Sequence, residues 1–337
     1  MLSLWGKTPS NGAPVITAIK DPATLEKSWI AAAAPNADGT KLALATDLGI
    51  IQIYDINRAV SLQSYLLPDA KQIPSSITFS PDENSLIVGT RTMDCSSCSK
   101  AGQIAIIDVK SGLTTFLPQQ KQMVHRITFI DEDTFLTAGG DIKLWKWSTR
   151  TELPTPAAFE SAKGFAIYEA GRKIAILTNN EVQFWDLQNL VKVGESLSFK
   201  GSYNMLSVSE SGRMVALSDP TRFEVQIFDR EKITSTPQIL RGHEDEITDL
   251  LFYDEQILVS SSFDSKIKVW SITDMKEDLT FAKHSDFVMG LFKRPGHPGI
   301  YSFSIDGTVR GWTLDFNDIR TQLCREFATS VREQCKI

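Results

Sequence analysis

The stretch "RGHEDEITDLLFYDEQILVSSSFDSKIKVWSI", residues 241–272, decides how this chain is read. Gly242-His243 stands at one end, Asp264 past the middle and Trp270 near the other end, with three apolar runs between them. The runs are short and rich in Ile, Val, Leu and Phe, which suit a pleated surface. Asp254-Glu255-Gln256 separates the first run from the second, and Asp264 with its neighbours separates the second from the third. Aspartate in such positions favours chain reversal. The stretch therefore reads as three antiparallel strands. His243, Ser260 and Asp264 also raise the question of a catalytic set.

The third run recurs along the chain. It appears as IIQIYDI (50–56), QIAIIDV (103–109), DIKLWKW (141–147), EVQFWDL (181–187), EVQIFDR (224–230), KIKVWSI (266–272) and TVRGWTL (308–314). The anchors are Tyr54, Ile107, Trp145, Trp185, Phe228, Trp270 and Trp312, separated by 53, 38, 40, 43, 42 and 42 residues. Two strand-like runs around a turn precede each anchor, as in FAIYEAGRKIAILT (165–178). One short run follows it, as in SLQSYLL (61–67) or ESLSF (195–199). Four antiparallel strands repeated at about 40–45 residues are the signature of propeller blades. The expected fold is all-β: a single seven-bladed β-propeller of four-stranded antiparallel blades, with a short C-terminal helix.

These residues carry a resemblance to the WD-repeat β-propeller family. Its pattern is a Gly-His pair, a strand, an Asp turn, a strand ending Ser-x-Ser-x-Asp, and a strand ending Trp-Asp. Blade six matches through Gly242-His243, Ser260, Asp264 and Trp270, and blade seven through His284, Ser302, Asp306 and Trp312. In both, the Ser lies four residues before the Asp and the Trp six after it. The Trp-Asp dipeptide stands only as Trp185-Asp186, with Tyr54-Asp55 and Phe228-Asp229 as near forms. The resemblance covers residues 13–314 and is closest after 240.

Little sheet-like sequence follows Trp312, while PVITAIK (14–20) precedes blade one without a partner of its own. Residues 14–20 are expected to close the last blade, so that 1–314 form one propeller and cover edges that otherwise invite aggregation. Residues 315–337 change period. Phe316, Ile319, Leu323, Phe327 and Val331 recur at three and four, marking one face of an amphipathic helix that packs on the propeller.

The chain has 337 residues, 42% hydrophobic, 23% charged and 9% aromatic, with net charge −6. Its pI is near 5.4. An acidic balance of this kind lacks the basic stripe of a nucleic-acid binder. The first 20 residues do not read as a secretory signal, and no run reaches the length of a membrane span. A soluble protein of the cytoplasm or nucleus is expected. No Gly-rich phosphate loop, His-Glu-x-x-His helix or calcium loop occurs, and no cofactor is expected. Cys95 and Cys98 form a Cys-x-x-Cys inside RTMDCSSCSKAG (91–102), an insertion in blade two that accounts for the 53-residue step. Zinc needs four ligands, and no second pair stands at matching spacing, so plain loop thiols are expected. KRPGHPG (293–299) reads as a solvated turn, or alternatively as a basic contact point. His125 and Arg126 start blade three, where one of them is expected to face the central channel.

A Ser-His-Asp hydrolase needs an exposed nucleophile beside its base. Ser260 instead lies inside an apolar strand. The resemblance implies a structural network in which Asp and His bond at the blade top and Ser links them to the Trp indole. The expected function is a non-enzymatic interaction scaffold or adaptor, a monomeric propeller bound to other proteins in a complex. The candidate partner-binding residues are Arg91, Asp94, Lys100, Arg241 and Lys266, around the loops between second and third strands. The alternatives are a substrate-receptor subunit of a ubiquitin ligase, whose Trp-Asp-x-Arg is not matched by YDINR or FDRE, and an enzyme using the channel, which four histidines serve poorly.

Overall fold

Second and third strands in this chain are apolar on both faces. Lys41–Thr46, Ser85–Thr92, Ile104–Asp108 and Met214–Asp219 are almost wholly buried, where a sheet with one wet face would alternate. Such strands need a cover on each side, and neighbouring sheets supply it. The computed structural model describes residues 3–4, 16–17, 28–69, 71–92, 102–120, 122–232 and 236–314. Within them each repeat folds as an antiparallel sheet in chain order. Blades one to six span 30–66, 72–116, 126–153, 164–198, 205–240 and 247–281, and blade seven spans 288–312 together with 16–17.

The core is divided among the seams. One apolar cluster joins blades one and two, and others join two and three, three and four, four and five, five and six, and six and seven. A seventh joins blade seven back to blade one through Tyr301 and Val309 against Ile30, Leu42, Tyr54 and Ile56. An open array of seven blades would have six seams, so the seventh shows a closed ring. The first strands form its inner wall. Ile247–Phe252 lies beside Met205–Val208 and Val288–Lys293, and Val288–Lys293 lies beside Ile30–Pro35.

Two local devices repeat. Four of the first strands, in blades one, two, six and seven, carry a bulge near their start. Where the bulged residue has a hydroxyl, it reaches the next blade: Ser75 donates to the Val124 carbonyl at 2.6 Å and Thr248 to the Val288 carbonyl at 2.6 Å. The turn after the third strand is held by the residue after the anchor. Asp55, Asp108 and Asp186 each accept the amide three residues on, from Arg58, Ser111 and Asn189. The following residue turns left-handed: Ala59, Gly112 and Leu190 have φ of 52°, 73° and 52°. A short acceptor after the anchor thus lets the chain reverse into the outer strand.

The outer layer is less regular than the sequence suggests. Of the run 14–20, Ile16–Thr17 pairs antiparallel with Val309 and Thr308 of blade seven. Ser3–Leu4 adds a fifth strand to blade six, parallel to Lys276–Phe281. In blade four, Val191–Lys192 and Leu197–Ser198 pair separately with Glu181–Asp186, because Gly194 at φ 70° turns the chain between them. The helix expected over 315–337 lies outside the described residues.

Candidate functional site

Each blade exposes two sets of loops. The upper face carries the connections leading into the first strands and those between second and third strands. His243 and Asp264 lie on these two kinds of loop in blade six, and the hairpin that pairs Ile247 with Ser262 brings them together. His243 Nδ1 is 2.8 Å from Asp264 Oδ2, and His243 Nε2 is 2.7 Å from Ser260 Oγ. The Trp270 indole N–H donates to the same Oγ at 2.8 Å. With Trp270 donating, Ser260 gives its proton to His243 Nε2, and His243 gives its Nδ1 proton to Asp264. Asp264 also accepts the amides of Glu244 and Lys266. Burial would raise the Asp264 carboxyl, but the His243 hydrogen bond and these two amides outweigh it and hold it below the ordinary range.

Blade seven repeats the arrangement. His284 meets Asp306 at 2.8 Å and Ser302 at 2.8 Å, and the Trp312 indole donates to Ser302 at 2.8 Å. Asp306 is held further below the carboxylate range: burial opposes this, but bonds from His284 and Thr308 and the Ser285 amide prevail. Blade three keeps one element of the set, the Trp145 indole on Thr137 Oγ1 at 3.0 Å.

The geometry matches a Ser-His-Asp triad in its distances and fails it in access. Ser260 and Ser302 are 0% exposed. A nucleophile must reach substrate. Both hydroxyls are instead saturated by the His and the Trp, so the set ties the second strand, the third strand and the entering loop into one unit. Beneath Trp270 lies a group that the sequence reading missed. Buried Lys268, its Nζ 5.9 Å from the centre of the Trp270 ring, donates to Glu277 Oε2 at 2.6 Å and to Thr280 Oγ1 at 3.0 Å, tying the third strand to the outer strand.

Of the candidate contact residues, Arg91, Arg241 and Lys266 all fall on the upper face. Arg91 is exposed, with its guanidinium 6.0 Å from the centre of the Trp29 ring. Arg241 bonds Glu224 of blade five at 2.6 Å, and Lys266 bonds Glu244 at 2.8 Å. Asp94, Lys100, Cys95 and Cys98 lie outside the described residues. Sequence reading missed the aromatic part of this face. Phe263, leaving the second strand of blade six, sits 4.8 Å from Phe287, which enters blade seven, and Phe287 is 41% exposed. Trp29 enters blade one, so blades six, seven, one and two present Phe263, Phe287, Trp29 and Arg91 in ring order.

On the lower face Lys293, Gly296, His297 and Pro298 of KRPGHPG are exposed, as a solvated turn requires, and Arg294 departs from that reading. Arg294 is buried, and its guanidinium donates to the Gly39 carbonyl at 2.6 Å, Asn57 Oδ1 at 2.7 Å and Tyr301 Oη at 3.3 Å. Gly39 and Asn57 belong to blade one, so this arginine clasps the closing seam. Lys293 turns aside to the Tyr253 carbonyl at 2.7 Å. At the inner wall Arg126 is exposed and donates to the Phe165 carbonyl at 3.2 Å, while His125 precedes the strand half-buried. Burial and the Arg126 charge push the His125 imidazole down to about 4. Across the ring, burial raises the Asp249 carboxyl against the charge of Arg126 and the amides of Leu291 and Leu250. Among the described residues, no group of three or more His, Cys, Asp or Glu could hold a metal ion, and no helix is long and apolar enough to cross a membrane.

Seven antiparallel blades in a closed ring, with the His-Ser-Asp-Trp set in two of them, define the class as a seven-bladed β-propeller similar to those of the WD-repeat family. The WD40 family profile, described as "WD domain, G-beta repeat", matches residues 234–271, the blade-six stretch that carries the full set. Among curated proteins the chain is similar to Periodic tryptophan protein 2 of Arabidopsis thaliana, 23% identical over 273 residues, covering 78% of this chain and 29% of that protein. It is also similar to the Periodic tryptophan protein 2 homolog of Dictyostelium discoideum, 26% identical over 230 residues (63% of this chain, 24% of that protein). The protein of that name in Saccharomyces cerevisiae is 31% identical over 127 residues, 34% of this chain and 14% of that protein. The chain spans less than a third of the length of each.

Proposed function

We propose that this propeller is a non-enzymatic scaffold that holds protein partners on its upper face, centred on the seam of blades six and seven and extending over blade one to Arg91 of blade two. The observation that carries this reading is the Phe263–Phe287 pair, with Phe287 exposed beside loops whose backbones are pinned by the two His-Asp bonds. Aromatic side chains on a fixed frame lose little entropy on binding and supply most of the energy at protein interfaces. Arg91 over Trp29 adds a cationic and aromatic contact point, and Arg241 and Lys266 supply a charged rim. The two Ser-His pairs support scaffolding over hydrolysis because neither hydroxyl is exposed.

Affinity purification of the tagged protein from its native cell, read by quantitative mass spectrometry, tests this. The wild type retains a set of proteins that Phe287→Asp loses by tenfold or more, at an unchanged melting temperature. Equal recovery by the folded variant contradicts the assignment of the face.

A further inference from the structure

The residue two before each anchor lies on the same side of its strand as the anchor ring. It is polar in every blade but the second: Gln52, Lys143, Gln183, Gln226, Lys268 and Arg310, against Ala105. In blades one, three, four, five and six the chain itself provides the partner. Gln52 accepts from the Tyr54 hydroxyl, Gln183 from the Trp185 indole and Gln226 from the Tyr203 hydroxyl. Where the residue is a lysine, the outer strand provides a glutamate directly opposite the anchor. Lys143 meets Glu152, which pairs with Trp145, at 3.0 Å, and Lys268 meets Glu277, which pairs with Trp270, at 2.6 Å.

Blade seven keeps the cation without the carboxylate. Arg310 is half-buried, and its Nε is buried with no acceptor among the described residues. Ser302, opposite it in the strand pair, is taken up by His284 and Trp312. Asp306 is engaged at both oxygens: Oδ2 accepts from His284 and the Ser285 amide, Oδ1 from the Thr308 amide and hydroxyl. The outer strand Ile16–Thr17 pairs with Val309 and Thr308, and residues 1–20 contain no Asp or Glu. Lys283, one before His284, holds the position of Gly242 in blade six. A Cβ at Gly242 would lie 3.4 Å from Lys268 Cε and 2.9 Å from Glu277 Oε2, so blade seven has a second cation in the corresponding place. A buried positive charge is as a rule paired.

The unmatched charge faces the binding seam. Trp312 packs against blade six, its ring 4.7 Å from that of Phe281, so Arg310 is turned the same way. It stands two residues past Thr308, where the third strand leaves the upper loop, and the upper end of this seam carries Phe263 and Phe287. We propose that Arg310 receives a carboxylate from an acidic segment of the protein partner, in the role that Glu152 and Glu277 have in blades three and six. This rests on the upper face being the binding face, and it gives the partner its chemistry: an Asp or Glu side chain beside the part that covers Phe287. A guanidinium suits that group because it can bind a carboxylate through two parallel hydrogen bonds.

Melting curves test whether the charge is unmatched. Lys268→Gln leaves Glu277 without its cation and lowers the melting temperature, whereas Arg310→Gln leaves it unchanged or raises it. An equal fall in both variants gives Arg310 a partner within the chain and overturns the proposal. Binding is read on the full chain by fluorescence anisotropy with a labelled Glu-rich peptide carrying one Phe, and with its counterpart in which every Glu is Gln. The wild type binds the Glu peptide at least tenfold more tightly, less so as salt rises. Arg310→Gln removes that preference and Arg310→Lys keeps part of it. A wild type without the preference, or an Arg310→Gln protein that retains it, overturns the proposal. So does tenfold tighter binding of a peptide with phosphoserine for Glu, which would assign the site to phosphate. If Phe287→Asp weakens both peptides while Arg310→Gln keeps the preference, the binding face stands and the role of Arg310 falls. If Arg310→Gln removes the preference while Phe287→Asp changes nothing, Arg310 stands and the aromatic face falls.

Discussion

At the scale of single residues, the hydrogen-bonded sets of blades six and seven are the strongest local ties. His243→Ala removes the proton acceptor of Ser260 and the main donor to Asp264, leaving two buried groups short of a partner. The expected cost is about 1–3 kcal/mol in chemical denaturation, with Trp270→Phe lower in the same range. Titration gives a second expectation. His125 has a folded pKa of about 4 against an ordinary 6.5, so the unfolded chain binds more protons between those values. Stability is then full above about pH 6.5 and falls as pH drops to about 4, by at most about 3 kcal/mol for a shift of that size. Asp264 and Asp306, both held below the carboxylate range, add a further loss as pH falls below about 3.8. Melting curves from pH 3 to 8 check this. His125→Gln should flatten the upper step and leave the lower one, and an unchanged upper step refutes the assignment to His125. The His-Ser-Asp-Trp sets were legible in the sequence because their spacing is fixed by strand register. Lys268 and Arg294 were not, since a lysine within a strand or an arginine within a Pro-Gly turn reads as solvated until its buried partners, Glu277 for one and Gly39 and Asn57 for the other, are in view.

At the scale of elements, strand identity followed from composition and turn chemistry, and the seven anchors fall in the seven third strands. The outer layer was legible only in part: the runs 61–67, 195–199 and 14–20 each overlap an outer strand, but the pairing of Ser3–Leu4 and the split strand of blade four were not foreseen. Outer strands are short and half-exposed, so their pattern is weak, and the strand Ser3–Leu4 is too short to leave one. The bulges of the first strands were equally hidden, since an inserted residue looks like any other. They carry a prediction. Thr248→Val and Ser75→Ala each remove an inter-blade hydrogen bond of 2.6 Å, and each is expected to cost about 1 kcal/mol. Because the two lie at different seams, their effects should add within about 0.5 kcal/mol. A double-mutant cycle by urea denaturation that gives strong coupling contradicts the picture of separate seams.

For the whole molecule, the blade number was readable from the anchor spacing, but the way the ring shuts was only partly so. The terminal run 14–20 pointed to a strand contribution. The larger share visible in the structure is side-chain closure: the apolar cluster of Tyr301 and Val309 on blade one, and the Arg294 clasp. Deleting residues 1–22 removes the strand partners of blades six and seven and should lower the melting temperature and cause concentration-dependent association. Arg294→Gln in that background should lower it by more than the sum of the separate effects, because both changes open one seam. A deletion variant that stays monomeric with unchanged melting contradicts the closure account.

The central claim is that the buried His-Ser-Asp-Trp sets hold the frame while the exposed aromatic seam does the binding. The most direct test compares His243→Ala and Phe287→Ala for melting temperature and for retention of the partners recovered by the wild type. The account predicts that His243→Ala melts lower and, below its transition, keeps the partners, while Phe287→Ala melts as wild type and loses them. A His243→Ala protein of full stability that has lost its partners, or a folded Phe287→Ala that keeps them all, would contradict it.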